Sequence, residues 1–152
     1  MKVSDWFFYP LWLDLKRALF NVKYFAEVDV TDQCNLRCRH CYHFYGKKSF
    51  TTQEPSVEVW TKRFDELYHM GIRNLLLVGG EPALRLDVLL AADKVFPYIS
   101  VITNGTIKIP PEFEHTLFVS VDGSQETNDA IRGEGVFQKV LNNYSGDKRV
   151  VI

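Results

Sequence analysis

A surplus of one charge is missing from this sequence: eighteen Lys and Arg stand against nineteen Asp and Glu, a formal net charge of -1. Without a basic excess there is no electrostatic footprint for nucleic acid, and without an acidic tract no solvating tail. Repeats and low-complexity stretches are absent. A closed disulfide framework is excluded because there are only three cysteines, an odd number. The N-terminal apolar run Trp6-Phe7-Phe8-Tyr9-Pro10-Leu11-Trp12-Leu13 is too short for a membrane span, which needs roughly 20 apolar residues. It contains a proline and lacks a small-residue cleavage site after it, so it is not a signal peptide. What remains is ordinary for a globular chain: 152 residues, 46% apolar and 24% charged, one domain by length.

The cysteines are crowded rather than spread. Cys34, Cys38 and Cys41 lie within one short loop, as ligands of a single metal centre would. Thiols kept free for metal imply a reducing compartment, with the cytoplasm as default. Aromatics are crowded too, with eight of 21 in the first 25 residues. Residues 1–23 form a separate aromatic-rich segment. Its residues 6–13 suit a membrane-surface contact, with Lys16 and Arg17 nearby, although a segment covering the open end of a fold is the preferred reading.

Residues 24–31 (YFAEVDVT) alternate and are rich in β-formers, so they read as a strand. Residues 56–70 place Val57, Trp60, Phe64, Leu67 and Tyr68 at helical spacing, with Gly71 as stop. Residues 74–78 (NLLLV) form a continuous apolar run, as a strand buried on both faces would. A helix over 84–95 and a strand over 98–103 (YISVIT) follow. Residues 109–115 hold Pro110 and Pro111 and allow about one helical turn at most. A strand over 116–121 (TLFVSV), helical stretches near 126–131 and 137–143, and the start of a fifth strand at 149–152 complete the chain. Strands alternating with crossovers predict an α/β fold with a parallel sheet. In such sheets chemistry gathers at the carboxyl ends of strands. The Cys loop, Gly79-Gly80-Glu81-Pro82, Thr103-Asn104-Gly105 and Ser120-Val121-Asp122-Gly123 all fall there, which makes them one site.

Cys34-Asn35-Leu36-Arg37-Cys38-Arg39-His40-Cys41 has the spacing C-x3-C-x2-C. Three thiolates can hold three corners of a [4Fe–4S] cubane and leave one iron open. Zinc is the alternative, with His40 or His43 as fourth ligand. A zinc knuckle would leave the motifs at the next three strand ends unexplained.

The four motifs in this order resemble the radical S-adenosylmethionine (radical SAM) enzymes over residues 24–152. One departure is visible: the family has an aromatic residue before the third cysteine, and here that position is His40. The resemblance implies a partial TIM-like (β/α)6 barrel, of which about four βα units and the start of a fifth strand are present. It implies that Cys34, Cys38 and Cys41 ligate a [4Fe–4S] cluster whose open iron chelates S-adenosylmethionine. It further implies that Gly79 and Gly80 let the backbone approach the methionine ammonium, that Glu81 accepts from that ammonium, and that Ser120 bonds the ligand's carboxylate or ribose. Arg132 would pair with the carboxylate, Thr103 and Asn104 would line the ribose, and Tyr42 the adenine. The implied reaction is reductive cleavage of S-adenosylmethionine to a 5'-deoxyadenosyl radical, which abstracts hydrogen from a peptide or small molecule. A flavodoxin- or ferredoxin-type protein would supply the electron. His69 and His115 receive no role. The motif style is similar to the SPASM/Twitch-type group, with glycyl-radical-enzyme activases as the second choice and a non-catalytic zinc or iron–sulfur module as the third. A six-unit barrel of about 200 residues or more, scaled from eight units, leads to the expectation that residues 24–152 are a C-terminally incomplete core domain lacking its substrate half.

Overall fold

The computed structural model describes residues 24–44 and 53–152. The aromatic N-terminal segment, with its suggested membrane-surface contact, lies outside them. Among the described residues no helix is long and apolar enough to cross a membrane.

Five parallel strands form one sheet in sequence order: β1 (Phe25–Asp29), β2 (Asn74–Val78), β3 (Tyr98–Thr103), β4 (Thr116–Val119) and β5 (Val150–Val151). Between them run α1 (Val57–His69), a 3-10 turn at Pro82–Arg85 leading into α2 (Leu86–Asp93), and then α3 (Gln125–Arg132) and α4 (Val136–Tyr144). β2 and β3 match their expected bounds. β1 and β4 are shorter than expected, because alternation in the sequence continues past the last paired residue.

The sheet is two-sided. Leu75, Leu77, Ile99, Val101, Leu117 and Val119 are buried against Phe64, Val88, Leu89, Phe96, Val136 and Val140 of the helical layer. The opposite face carries Leu76, which is only half-buried, and the exposed Phe25, Ile102 and Phe118. β2 is therefore not buried on both faces, as its unbroken apolar run suggested. Trp60 stacks on Phe64 at 5.6 Å, and Phe64 meets Phe96 edge-on at 5.9 Å, fixing α1 to the turn between α2 and β3.

Local chemistry sets the element ends. Gly71, with φ 96°, stops α1 after its last turn closes through Met70. The Glu81 side chain accepts from the Ala83 N–H, with Pro82 as the first residue of the 3-10 turn. Ser124 caps α3 by accepting from the Thr127 N–H. The Asp129 carboxylate accepts from the N–H groups of Gly135 and Phe137 at 2.9 and 2.8 Å, so α3 caps α4. No helix joins β3 to β4. Instead the Tyr144 hydroxyl accepts from Ile109 N–H at 2.9 Å and donates to the Ile107 carbonyl at 2.8 Å. Arg149 donates to the carbonyls of Ile109, Pro110 and Phe113. These two side chains satisfy backbone groups that a helix would have satisfied itself.

Candidate metal and cofactor site

The loops after β1, β2, β3 and β4 meet at one end of the sheet and enclose a cavity of ≈ 210 Å³. Cys34, Cys38 and Cys41 line it together with Tyr42, Gly79, Gly80, Thr103, Asn104, Ser120 and Arg132. Val78 and Ile102, from the open face of the sheet, form part of its floor. Of the residues singled out from sequence, only Glu81 does not reach the cavity wall.

Backbone hydrogen bonds close the cysteine loop on itself and tie it to its neighbours. The Cys41 N–H donates to the Cys38 carbonyl at 3.2 Å, and the Arg39 N–H to the Ile131 carbonyl at the end of α3 at 3.0 Å. At its start, Gly80 N–H donates to the Thr31 carbonyl and Glu81 N–H to the Gln33 carbonyl, both at 2.8 Å. These last two bonds explain the glycine pair. A Cβ on Gly79 would lie 2.4 Å from the Thr31 oxygen, and one on Gly80 would lie 2.2 Å from the Gln33 oxygen. The glycines let two loops touch backbone to backbone. This close approach is a packing reason for the pair, and it stands beside the expected one, access of a ligand ammonium.

Glu81 is likewise engaged within the protein. Its side chain is fully buried, and Oε1 accepts from Ala83 N–H at 2.9 Å and from the Thr103 hydroxyl at 2.7 Å. Oε2 accepts from Asn104 N–H at 2.7 Å. Burial pushes its pKa up, and the three donors oppose that. The carboxylate thus joins the loop after β2 to the loop after β3 beneath the cavity.

Two of the sulfurs have polar neighbours. The Leu36 N–H and the Asn104 amide approach Cys34 Sγ at 3.4 and 3.8 Å. Burial raises the Cys34 and Cys38 thiols; for Cys38 the Arg132 guanidinium opposes it. Arg132 donates through Nε and Nη2 to both oxygens of Asp122, at 2.7 and 3.2 Å. His40 Nε2 lies 3.8 Å from Asp122 Oδ1. His43 is buried with its Nε2 3.4 Å from the Asp32 carboxylate. Both histidines proposed as zinc ligands therefore face carboxylates.

Three half-buried thiols on one cavity wall, N–H donors on the Cys34 sulfur and a cation alongside suit a thiolate-bound cluster. Among the described residues no three His, Cys, Asp or Glu side chains converge as one ion would require. A cubane presents a separate iron to each thiolate and needs no such convergence.

The profile of the radical SAM superfamily matches residues 28–145. The chain belongs to this superfamily. The radical SAM family uses a [4Fe–4S] cluster and S-adenosylmethionine. The chain is 36% identical over 124 residues to the Fe-coproporphyrin III synthase of Methanosarcina barkeri, covering 74% of this chain and 31% of that protein. It is 33% identical over 125 residues to the mycofactocin maturase MftC of Mycolicibacterium smegmatis, again 74% and 31%. The structure of anSMEcpe with bound AdoMet and the Kp18Cys peptide superposes with a TM-score of 0.60 over 78% of this chain and 39% of that one. At 22% identity that likeness speaks for the radical SAM fold alone. The chain spans about a third of the length of the curated relatives it matches.

Sequence reasoning missed four residues that organise this radical SAM site. Asn35 and Thr106 bond to Asn104 and to each other. Asp122 holds Arg132. Glu54 accepts from the Thr31 hydroxyl, from Asp32 N–H at 3.0 Å and from Arg85 at 3.2 Å. Asn35 and Asp122 sit inside the motifs and were legible there; nothing in the sequence pointed to Glu54.

Proposed function

We propose that this chain forms the cluster- and S-adenosylmethionine-binding part of a radical SAM enzyme acting on a peptide or small molecule. The observation that carries this is the single cavity at the strand ends, lined by all three cysteines and by residues from the next three loops. When bound, the cluster and S-adenosylmethionine together supply reductive carbon–sulfur cleavage and hydrogen abstraction. The chain's own residues bind and orient. Cys34, Cys38 and Cys41 hold the cluster. Arg132, kept in place by Asp122, offers its remaining N–H groups to the ligand carboxylate. Ser120 bonds the carboxylate or ribose, Thr103 and Asn104 flank the ribose, and Tyr42, exposed at the rim, lies against adenine. The backbone of Gly79 and Gly80 lines the methionine side. Glu81 serves this reading by fixing the loops, since its carboxylate is already occupied. A flavodoxin- or ferredoxin-type donor supplies the electron. Matches to a maturase and to a coproporphyrin synthase support the substrate classes, and the maturase match favours the SPASM/Twitch-type group over the activases.

Anaerobic reconstitution with iron and sulfide tests the reading. About four irons per chain are expected, with an electron paramagnetic resonance (EPR) signal of the reduced protein that changes when S-adenosylmethionine is added. A loaded protein whose signal ignores the ligand contradicts the cofactor assignment. Preferential loading of one zinc favours the non-catalytic module.

A further inference from the structure

The Asn104 amide is oriented by contacts that admit one assignment. Its Oδ1 accepts from the Thr106 backbone N–H at 2.9 Å, a group that can only donate. It also accepts from the Thr106 hydroxyl at 2.7 Å. Nδ2 therefore faces the cysteine loop, where it donates to Asn35 Oδ1 at 2.9 Å. Asn35 Nδ2 in turn donates to Thr106 Oγ1 at 2.8 Å, which directs the single hydroxyl proton toward Asn104. Three side chains close a ring with all donors running one way, an arrangement in which each bond polarises the next. The second hydrogen of Nδ2 is left for Cys34 Sγ, 3.8 Å away. Asn104 is only 7% exposed, and Glu81 holds its backbone N–H at 2.7 Å, so the amide does not turn to solvent.

We propose that Asn104 is a positioning residue that sets the reduction potential of the cluster by donating its amide hydrogen to the Cys34 sulfur. The proposal rests on the cluster assignment above and adds a role distinct from flanking a ribose. A donor on a ligating thiolate withdraws charge from the metal–sulfur bond. It thereby stabilises the more negative, reduced state and raises the potential. Asn35, next to the ligand, and Thr106, on the loop after β3, lock the donor's direction. Turning the amide over would set Asn104 Nδ2 against the Thr106 N–H, donor to donor, and Oδ1 against Asn35 Oδ1.

The test is a redox titration of the reconstituted full chain, followed by EPR, for wild type, Asn104→Asp and Asn104→Ala. It is run without S-adenosylmethionine, so a lost ribose contact cannot contribute. Asp keeps both acceptor contacts to Thr106 but donates nothing to sulfur; Ala removes the donor without adding charge. Both variants are expected to load about four irons per chain and to show a midpoint shifted to more negative potential, the Asp variant further. A fully loaded variant with the wild-type midpoint overturns the proposal. So does loss of iron from both variants while wild type loads, because Asn104 is then an assembly contact. Failure of wild type itself to load counts against the cluster assignment instead.

Discussion

Gly80 shows how a single missing side chain joins two loops. Its absent Cβ would stand 2.2 Å from the Gln33 carbonyl oxygen, a backbone atom that cannot swing aside. Gly80→Ala is expected to lower stability by about 3 kcal/mol and to reduce iron loading. Gly146→Ala, with φ 77° and nothing within 4 Å, should cost about 1–2 kcal/mol from backbone conformation alone. Urea denaturation of the two variants makes the comparison, and equal losses would contradict the loop-contact explanation. Glu81 gives a second residue-scale prediction. Glu81→Ala strands the Ala83 N–H, the Asn104 N–H and the Thr103 hydroxyl, and is expected to cost about 4 kcal/mol. Glu81→Gln keeps one acceptor and should cost about half as much. If Glu81→Gln weakens S-adenosylmethionine binding with unchanged stability, the carboxylate serves the ligand rather than the loops.

Among the elements, the helix-free connection from β3 to β4 depends on Tyr144 and Arg149. The Arg149 guanidinium bonds Asp147 as well as three carbonyls, and it holds the Asp147 carboxyl below the usual range. A carboxyl depressed in the folded state adds stability above its unfolded pKa of about 3.9, and that stability disappears as pH falls through the lower folded value. Stability measured by urea denaturation should therefore decline below about pH 4 more steeply in wild type than in Asp147→Asn. Parallel pH profiles would remove this account. The elements also show what the sequence could and could not reveal. NLLLV and YISVIT are bounded by turn residues, so β2 and β3 were legible to the residue. Pro110 and Pro111 correctly argued against a helix, but nothing local showed that Tyr144 and Arg149 would replace it. The cysteines and glycines were legible because they lie in short contiguous motifs, and Arg132 through the resemblance, at its distance from Ser120. The direction of the Glu81 side chain was not, because its partners Thr103 and Asn104 come from another strand end. The Asn35–Asn104 pair joins residues 69 apart in the chain, a separation no local pattern encodes.

For the whole molecule, the sheet has a functional end and a structural end. Ligand binding should reach only the first. Hydrogen exchange of the reconstituted chain is expected to slow at residues 33–44, 79–82, 103–106 and 120–123 when S-adenosylmethionine is added. The turns at the other end, near 71–73, 95–97 and 111–115, should stay unchanged. Protection confined to that other end would move the site. The strand order carries a consequence for synthesis. Each strand pairs with the one made just before it, so the sheet can grow by adding to an edge already present as the chain leaves the ribosome. The cysteine loop emerges early, yet one of its anchors is the Ile131 carbonyl at the end of α3, made much later. Until α3 docks, the thiols sit on a loop without its far support. Metal delivered before that point would meet an unfinished cradle, so loading belongs after α3 has docked.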